Sequence, residues 1–379
     1  MSPSLAADES YMRMAIALAE RGRGRVEPNP MVGAVVVREG RVVAEGFHER
    51  YGGPHAEANA IARAGPLCKG ATLYVTLEPC TGTRKKTPPC CEAVIEAGFA
   101  RVVIGARDPT REPAVPRLRE AGIEVTTGVL EEDCRALIAP FLTLRLLGRP
   151  FVIAKWAMTA DGRMSAAGGD SRWISSDVSR QLVQRWRGEV NAVLVGSGTV
   201  RRDDPLLTCR VPGARQPVRV VLDSRAALPP ESRLAGTVSQ APLLVACHED
   251  APPENRRLLE RRGCRILALP GPEGRPDIGL LLDALGREEM TYLMVEGGPT
   301  VLGAFFDRGL IDEVRVFIAP RLMGGPAAPY AVPLVGRGVA TAQEAVELMR
   351  VTWEAVGPDI LLTGRTRPAP TSSPDNLSE

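Results

Sequence analysis

Apolar and polar residues alternate along the first part of the chain with two periods, one typical of helices and one of strands. Helical spacing of apolar residues from Tyr11 to Arg21 predicts a helix, preceded by frayed residues at 1–7. Apolar runs at 32–37 and 41–46 flank Glu39-Gly40, which predicts a β-hairpin. Further helices are predicted at 56–64, 91–97, 116–121 and 130–145, and strands at 72–77, 101–106 and 123–126. This alternation predicts an α/β sheet sandwiched by helices.

The pattern is interrupted at Gly148-Arg149-Pro150, after which a new apolar strand begins at Phe151. The alternation then resumes, and the two halves share no motif. Strands are predicted at 151–158, 190–195, 218–222, 243–247, 264–268, 291–295, 313–319, 346–353 and 359–363, and helices at 177–187, 253–261, 277–286 and 299–308. We therefore predict two domains, 1–147 and 148–366, with a disordered tail at 367–379 that is rich in Pro, Ser, Thr and Asn.

Composition narrows the possible partners. The 379 residues are 44% hydrophobic and 24% charged, which is typical of a globular protein. A formal net charge of +2 and only 4% aromatic residues argue against nucleic acid or a membrane, which we do not expect as partners. We expect no signal peptide, and the chain contains no apolar stretch of roughly 18 residues. We expect a cytoplasmic protein, in which the eight cysteines indicate metal binding or catalysis rather than disulfides.

The most specific chemistry lies in His55-Ala56-Glu57, followed by Glu78-Pro79-Cys80 and Pro88-Pro89-Cys90. One histidine and two cysteines can bind zinc and leave a fourth position open for water, as in catalytic sites. The H-x-E … P-C signature is typical of zinc deaminases that act on amino-substituted bases, with the glutamate as proton carrier. We predict His55, Cys80 and Cys90 as ligands and Glu57 as the catalytic residue. A structural zinc site, or buried cysteines beside a surface histidine, is the alternative.

Cys90 is preferred to its neighbour Cys91 because it follows Pro88-Pro89 directly. We expect it just before a helix, where the helix N-terminus favours a thiolate. His55 is predicted to open a helix and Cys80 to lie at the end of a strand. Cys91 is expected to point into the helix packing.

Two glycine-rich turns stand out in the second half, Gly196-Ser197-Gly198-Thr199 and Gly297-Gly298-Pro299. Glycines let a ligand approach the backbone, and a following helix offers unpaired N–H groups to a phosphate. Either glycine-rich segment by itself is more simply explained as a tight turn between a strand and a helix. Because both segments follow the carboxyl ends of strands in one sheet, the two together favour a crevice that binds a ligand. Lys155, placed at the start of a buried strand, is predicted to contact substrate, because an unpaired lysine is rare in a core.

The first half resembles the pyrimidine deaminase part of the bifunctional riboflavin-biosynthesis deaminase/reductase family. The segments that carry the resemblance are Pro28-Asn29-Pro30, Gly46-Phe47-His48, His55-Ala56-Glu57, Thr76-x-Glu78-Pro79-Cys80 and Lys86-Thr87-Pro88-Pro89-Cys90. The resemblance implies a cytidine-deaminase-like α/β/α sandwich and a diaminopyrimidinone substrate with a ribosylamino phosphate. It implies base contacts near Asn29 and His48 and a phosphate or sugar contact at Lys86. From the residues alone, Asn29 could equally form a turn and His48 could be a polar residue at a strand end.

One segment departs from that family. The family has Ser-His in the loop before Thr-Pro-Pro-Cys, whereas this chain has Thr81-Gly82-Thr83-Arg84-Lys85, which is one residue longer and lacks the histidine. Since this loop should line the substrate pocket, the departure concerns substrate detail more than deamination.

The second half resembles the reductase part of the same family, which implies a dihydrofolate-reductase-like α/β domain that uses NADPH. The implied cofactor contacts are Ala157, Trp173, Thr199, Asp203, Ser224, Gly298, Pro299, Thr300, Val301, Leu302, Gly303 and Ala304. The implied substrate contacts are Ser171, Arg187, Leu207, Arg210 and Glu296. Arg187 and Arg210 suit a phosphate, although surface arginine is an alternative for each, and Trp173 could equally be core.

The resemblance therefore implies zinc-dependent deamination followed by NADPH-dependent reduction of the ribosyl chain to ribityl. We expect a small phosphorylated pyrimidine as substrate and a homo-oligomer. Two other hypotheses are a nucleoside or tRNA deaminase fused to an unrelated nucleotide-binding domain, and a zinc-stabilised nucleotide sensor. The near-neutral charge and the motifs of the second half argue against the first. The position of Glu57 and the open coordination argue against the second.

Overall fold

The computed structural model describes residues 5–82, 89–171, 173–325 and 332–371. Contacts between Cα atoms divide the chain into two compact units, Met1–Gly148 with Ala369–Glu379, and Arg149–Pro368. A disordered C-terminal tail was predicted to begin at residue 367. Ala369 packs against the core of the first unit, and 372–379 lie outside the described residues.

The first unit contains five helices and five strands among its described residues. They are α1 (Leu5–Glu20), β1 (Gly33–Arg38), β2 (Arg41–Phe47), α2 (Ala56–Ala64), β3 (Thr72–Leu77), α3 (Cys90–Glu96), β4 (Arg101–Ala106), α4 (Val115–Glu120), β5 (Glu124–Thr127) and α5 (Glu131–Leu147). Helix α1 begins six residues before its predicted start at Tyr11. Asp8 in its first turn is buried and accepts hydrogen bonds from Arg101 and Tyr74, contacts that local periodicity does not contain.

The strands of the first unit form one sheet in the order β2-β1-β3-β4-β5. Strand β1 is antiparallel to β2 and β3, whereas β3, β4 and β5 are parallel. A Cβ on Gly33 would lie 1.9 Å from the Ala15 carbonyl oxygen of α1, and one on Gly46 would lie 2.3 Å from that of Ala56 in α2. Since Gly46 pairs with Ala34, the neighbour of Gly33, the two helices cover opposite faces. The predicted three-layer architecture is confirmed.

The second unit contains five helices and nine strands among its described residues. They are β6 (Phe151–Thr159), α6 (Asp177–Glu189), β7 (Ala192–Gly196), α7 (Ser197–Asp203), β8 (Val218–Leu222), β9 (Leu243–His248), α8 (Pro253–Arg261), β10 (Arg265–Leu269), α9 (Ile278–Arg287), β11 (Tyr292–Val295), α10 (Pro299–Asp307), β12 (Glu313–Ala319), β13 (Met349–Val356) and β14 (Asp359–Arg365). Helix α7 has no counterpart among the predicted elements, because its first residues belong to the glycine-rich turn.

These strands form a second sheet in the order β10-β9-β8-β7-β11-β6-β12-β14-β13. The pairs from β10 to β12 are parallel, and β14 and β13 extend the sheet in antiparallel fashion. The carboxyl ends of β7 and β11 are therefore neighbours, and both lead directly into helices. Within the described ranges, no helix combines the length and apolar character needed to cross a membrane.

Candidate functional site

Three potential metal ligands meet in the first unit. His55 is the N-cap residue of α2, Cys80 lies beyond Leu77 at the end of β3, and Cys90 is the first residue of α3. The His55 Nδ1 atom lies 3.2 Å from the Cys90 Sγ and 3.6 Å from the Cys80 Sγ. We expected Cys90 just before the helix, but Pro89 takes the N-cap position and Cys90 opens the first turn. Cys91 is fully buried in the core, as expected.

The separations of these donor atoms fit a zinc ion. Zinc–nitrogen and zinc–sulfur bonds of about 2.0 and 2.3 Å at tetrahedral angles hold nitrogen and sulfur about 3.6 Å apart. A hydrogen bond from the Cys90 thiol, reinforced by His55, lowers the pKa of the Cys80 thiol to about 3 despite burial. One thiolate is thus already present at neutral pH. Three protein donors leave one tetrahedral position for water.

Glu57 lies in the first turn of α2 and is only 3% exposed. It lines the same cavity as His55 and Cys80 but is not one of the three potential metal ligands. Burial raises the pKa of its carboxyl, which also contacts the Cys90 thiol. A carboxyl group beside the ligands, not committed as a ligand itself, can accept a proton and return it.

A cavity of about 430 Å³ lies next to these residues. Asn29 and His48, the two predicted base contacts, both line it. The His48 Nδ1 atom is 2.9 Å from the Pro54 carbonyl oxygen, which can only accept, so Nδ1 carries a hydrogen. Its Nε2 atom lies 3.1 Å from the Asn29 amide nitrogen. The two residues are therefore fixed relative to each other on the cavity wall. Lys86 lies outside the described residues.

The sequence motifs missed one part of this cavity. Asp108, Thr110 and Arg111 follow β4 and line the cavity, as do Phe141 and Arg145 of α5. Strands β3 and β4 are parallel neighbours, so the segment after β4 must lie beside the segment that carries Cys80. The polar run Asp108-Pro109-Thr110 at that strand end was the available signal.

Glu78 holds this second segment in place. Its Oε1 atom accepts hydrogen bonds from the backbone N–H groups of Ala114 and Val115 at 2.7 and 3.1 Å. Its Oε2 atom accepts one from the Arg107 Nε at 2.7 Å. Both carboxylate oxygens of the buried Glu78 accept hydrogen bonds from residues 107–115, so Glu78 holds this loop in place and is not available as a proton carrier.

In the second unit, the two glycine-rich turns contact each other. The Gly196 N–H donates to the Gly297 carbonyl oxygen at 3.0 Å. A Cβ on Gly298 would lie 3.2 Å from the Thr199 Oγ1, and one on Gly196 would lie 2.8 Å from a Val301 methyl group. Gly297 has φ +115°, which side chains disfavour. The predicted crevice is present as a cavity of about 790 Å³ beside both turns.

Most of the predicted cofactor contacts line this cavity. They are Thr199, Asp203, Ser224, Gly298, Pro299, Thr300, Val301 and Ala304. Leu302 does not, because its side chain is fully buried in the core of the unit. Gly303 packs instead against Val335, whose carbonyl oxygen would lie 2.1 Å from a Cβ.

Trp173 and Ala157 are also absent from the cavity wall. Trp173 is 62% exposed, so the core alternative is wrong, and its ring lies 4.4 Å from the Arg180 guanidinium carbon. Ala157 lies within β6, where it pairs with Phe317 of β12.

A buried group of charges lies at the β6–β11 side of this cavity. Glu296 follows β11 and lines the cavity wall. It accepts two hydrogen bonds from Arg187, at 2.7 Å to Nε and 2.9 Å to Nη2. The Lys155 Nζ lies 3.6 Å from the same carboxylate. Burial opposes ionisation, but the charges of Arg187 and Lys155 lower the pKa of Glu296 to about 2. The site therefore holds an ionised carboxylate between the Arg187 guanidinium and the Lys155 amine.

One expectation about this group needs correction. Lys155 lies in the middle of β6 and not at its start, and it is paired. Arg187 stays a predicted substrate contact, and its guanidinium donates two hydrogen bonds to the Glu296 carboxylate.

The remaining predicted substrate contacts are scattered. Ser171 lines the cavity, and its Oγ lies 3.5 Å from the Asp203 Oδ1. Leu207 is 3% exposed and has a left-handed backbone with φ +54°. Arg210 is exposed and is not part of the cavity wall.

Each half of the chain matches a known protein family. Residues 5–106 match the family model of the cytidine and deoxycytidylate deaminase zinc-binding region, and residues 150–362 match that of the RibD C-terminal domain. Riboflavin biosynthesis protein RibD of Aquifex aeolicus is 41% identical over 359 residues, covering 94% of this chain and 97% of the relative. The Escherichia coli protein of the same name is 38% identical over 372 residues, covering 94% and 98%.

Solved structures extend the likeness to the whole fold. The Thermotoga maritima diaminohydroxyphosphoribosylaminopyrimidine deaminase/5-amino-6-(5-phosphoribosylamino)uracil reductase is 37% identical, with a TM-score of 0.80 over 95% of this chain and 99% of that one. Acinetobacter baumannii RibD gives a TM-score of 0.80 at 33% identity, over 96% and 99%. The chain therefore belongs to the RibD family of bifunctional riboflavin-biosynthesis deaminases and reductases.

Proposed function

We propose that this enzyme deaminates 2,5-diamino-6-(5-phosphoribosylamino)pyrimidin-4-one and then reduces its ribosyl chain, giving 5-amino-6-(5-phosphoribitylamino)uracil. Residues 1–147 carry the first step and residues 148–366 the second. The observation that carries the proposal is the His55, Cys80 and Cys90 cluster beside the buried Glu57, in a chain whose second unit has its own cavity. The proposed substrate is the one named for the Thermotoga maritima deaminase/reductase.

In the deaminase site, His55, Cys80 and Cys90 would hold zinc, which would supply an activated water for hydrolysis. Glu57 accepts one proton from the attacking water and passes it to the ring nitrogen. It then accepts the proton of the hydroxyl newly bound to carbon and delivers it to the amino group, which leaves as ammonia while the C=O bond forms. The overall change replaces C–NH₂ by C=O, with one water consumed and one ammonia released. Asn29 and the Nδ1-protonated His48 orient the base over Glu57, and Lys86 contacts the sugar or phosphate.

In the reductase site, NADPH when bound supplies the hydride that reduces the open form of the ribosylamino group. Gly298 and Thr300, at the N-terminus of α10, offer their backbone N–H groups to its pyrophosphate, whereas Pro299 has none and the Val301 N–H donates to the Gly298 carbonyl oxygen. Lys155 and Glu296 contact the substrate, and Arg187 holds the Glu296 carboxylate in position. The Ser171 Oγ lies 3.5 Å from the Asp203 Oδ1, and both residues line this cavity.

A cytoplasmic location suits this chemistry, because all eight cysteines are free and the cluster needs thiolates. The sole partners we propose are the small phosphorylated pyrimidine and further copies of the chain.

Product analysis tests the two halves separately. The zinc-loaded protein is incubated with the diaminopyrimidinone phosphate, with and without NADPH, and products are identified by mass. We expect conversion of the amine to a carbonyl without NADPH and a further gain of two hydrogens with it. Deamination of cytidine or adenosine in place of this substrate would favour the nucleoside deaminase hypothesis.

Glu57→Gln tests the proton carrier. Loss of general acid–base catalysis should lower the deaminase kcat about 10²–10⁴-fold. Atomic absorption should show an unchanged zinc content, since Glu57 is not one of the three proposed zinc ligands. Reductase activity should also stay unchanged. Glu96→Gln, on the exposed side of α3, is the control. Normal deamination by Glu57→Gln would contradict the mechanism and favour a structural zinc site.

A further inference from the structure

The segment that follows β6, residues 160–171, forms part of the wall of the reductase cavity, and we call it the cavity segment. Met164, Ser165 and Ser171 line the cavity from this segment. The cavity segment contains turns and bends but no helix or strand, so no regular ladder of backbone hydrogen bonds holds it. Its position therefore depends on contacts with the rest of the unit.

The strand order shows which part of the cavity this segment covers. Strands β6, β11 and β7 are parallel neighbours, so their carboxyl ends lie side by side. The cavity segment leaves the end of β6. At Ser171 it reaches Asp203, the last residue of the α7 helix that follows β7. It therefore runs from the β6 side to the β7 side, past Glu296 at the end of β11, where the substrate is proposed to lie.

Asp161 connects the beginning of the cavity segment to the loop after β12. Its carboxylate accepts hydrogen bonds from the backbone N–H of Met323, at 3.2 Å to each oxygen, and from that of Gly324 at 2.7 Å. It also accepts one from the Thr159 hydroxyl at the end of β6. Since Thr159 pairs with Ala319 at the end of β12, one exposed side chain joins the loops that leave two neighbouring strands.

The hydrogen bonds to Asp161 also keep its carboxyl group ionised. The bond from the Thr159 hydroxyl, reinforced by the Gly324 N–H, lowers the pKa of Asp161 to about 2. The contacts with the loop are therefore charge-assisted throughout the pH range of an enzyme assay. Gly324 has φ +58°, which glycine adopts without strain, so the loop can present two successive N–H groups to one carboxylate.

Arg321 of the same loop holds both ends of the cavity segment. Its carbonyl oxygen accepts a hydrogen bond from the Ala160 N–H at 2.9 Å, and its guanidinium donates to the carbonyl oxygen of Trp173, just beyond the segment, at 2.8 Å. Between these ends, a Cβ on Gly168 or on Gly169 would meet no atom of the described residues within 4 Å. The middle of the segment is thus unpacked at these glycines, and its order depends on how its ends are held.

We propose that Asp161 is a positioning residue of the reductase, which orders the cavity segment at the Glu296 side of the cavity before the pyrimidine binds. The inference rests on the proposed reductase function and adds the residue that orders this wall. Asp161 does not line the cavity and acts through Met164, Ser165 and Ser171. Without its carboxylate, a smaller fraction of the free enzyme has the segment in place, and the apparent affinity for substrate falls in proportion to that fraction.

Steady-state kinetics of the full-length zinc-loaded protein test this, with 5-amino-6-(5-phosphoribosylamino)uracil and NADPH as substrates. For Asp161→Ala we expect the KM for the pyrimidine to rise about tenfold, as when the segment is ordered in about one molecule of ten. The kcat should change by less than about threefold, since bound substrate holds the segment in place. Calorimetric affinity for NADP⁺ should change by less than about twofold, because its proposed contacts lie at the glycine-rich turns.

Further variants separate positioning from damage to the fold. Asp161→Asn keeps one oxygen that can accept from the Gly324 N–H, so its KM should lie between those of wild type and Asp161→Ala. Thr159→Val removes a hydrogen bond to Asp161 at similar volume. Its effect on KM should be less than additive with that of Asp161→Ala, since both variants lose the same contact. Asp283→Ala, at an exposed position on α9, is the matched control and should behave as wild type.

The possible failures of this experiment can be told apart. An unchanged KM in Asp161→Ala would overturn the positioning role. Parallel losses of kcat and of NADP⁺ affinity in that variant would also overturn it, because they would show damage to the whole unit. If wild type itself does not reduce the pyrimidine, the proposed reductase function fails.

Discussion

Among single residues, Glu78 is the one whose motif and whose structural role differ most. It belongs to the Glu78-Pro79-Cys80 signature, yet its carboxylate contacts the 107–115 loop and not the metal donors. Through that loop it positions Asp108 and Thr110 on the cavity wall. Glu78 is therefore a positioning residue for substrate binding.

We predict that Glu78→Gln raises the deaminase KM about tenfold while kcat changes by less than about threefold. A glutamine keeps one oxygen but presents an NH₂ group to Arg107 or to the backbone donors, and each lost charge-assisted hydrogen bond is worth about 1.5–3 kcal/mol. Steady-state kinetics of the zinc-loaded enzyme measure this. Glu112→Gln, exposed on the same loop, is the control. A lower melting temperature with unchanged KM would show a purely structural role.

The charge group of the reductase site gives a prediction about pH. Burial lowers the pKa of Lys155, and the Glu296 carboxylate opposes this by raising it. Because the pKa of Glu296 is about 2, the carboxylate stays ionised throughout the range of an enzyme assay. Glu296→Gln removes that charge, so the pKa of Lys155 should fall further and the ammonium should deprotonate at lower pH.

The reductase kcat/KM of Glu296→Gln should therefore decline at a lower pH than that of wild type on the alkaline side. On the acidic side of the pH profile, residue 296 should not titrate in wild type or in Glu296→Gln. Full pH profiles of both, with Glu273→Gln as an exposed control, measure the displacement. Superimposable profiles would mean that Lys155 does not need its charge for reduction.

The sequence was sufficient to predict His55, Cys80, Cys90 and Glu57 because their signature is local and their chemistry depends on residue type. It was insufficient to predict that the Arg187 guanidinium pairs with Glu296, a residue 109 positions away. Asp108 was missed for a similar reason, since its place on the cavity wall follows from the pairing of β3 with β4. Contacts across the sheet decide such cases.

At the level of elements, strong periodicity predicted well and glycine-rich segments did not. Helix α2 and strands β3, β4, β8 and β12 have the predicted bounds. Helix α7 was predicted as a turn because Ser197-Gly198-Thr199 has weak helix propensity. Helix α7 packs against the second glycine-rich turn, because a Cβ on Gly298 would lie 3.2 Å from the Thr199 Oγ1. It ends at Asp203, and the left-handed Asp204 that follows has φ +39°.

The β11–α10 turn gives the prediction at this scale. Gly297 has φ +115°, and a Cβ there would meet no atom within 4 Å, so the cost of Gly297→Ala is conformational and about 1–3 kcal/mol. Relaxation of the turn should displace the first N–H groups of α10 and weaken NADP⁺ and NAD⁺ binding alike, by about tenfold or more.

Calorimetric titration of both nucleotides measures this effect. Gly236→Ala is the control, because its added Cβ also meets nothing within 4 Å and its φ is not positive. Selective loss of NADP⁺ alone would be inconsistent with a pyrophosphate role for this turn. Deamination should be unaffected in both variants.

At the scale of the whole molecule, the two units differ in how far the sequence determined their sites. In the deaminase cavity, motifs within residues 28–90 bring together Asn29, His48, His55, Glu57 and Cys80, whereas the other wall comes from the segment after β4 and from α5. The reductase cavity is assembled from the ends of β6, β7, β8 and β11, which are dispersed over residues 151–304. Its two turns could be predicted from their glycine-rich sequences. The charged group of Lys155, Arg187 and Glu296 could not, because it depends on which strands are neighbours in the sheet.

The sheet of the second unit also predicts how copies of the chain associate. Strand β13 is the edge strand, and residues 349–355 are exposed, including Met349, Val351 and Trp353. Trp353 is 63% exposed. An apolar edge strand offers unpaired backbone groups and hydrophobic side chains to a second strand. We therefore predict a homo-oligomer that associates through β13.

Trp353→Glu should disrupt this association, since a charge at the centre of the strand must be desolvated in the interface. Light scattering after size exclusion should give wild type a mass at least twice that of the 40.6 kDa chain, and the variant the mass of one chain. Leu258→Glu, at an exposed apolar position on α8, is the control and should keep the wild-type mass. An unchanged mass for Trp353→Glu would place the interface elsewhere, and a monomeric wild type would contradict oligomerisation itself. Because the proposed sites each lie within one unit, the monomeric variant should still deaminate and bind NADP⁺.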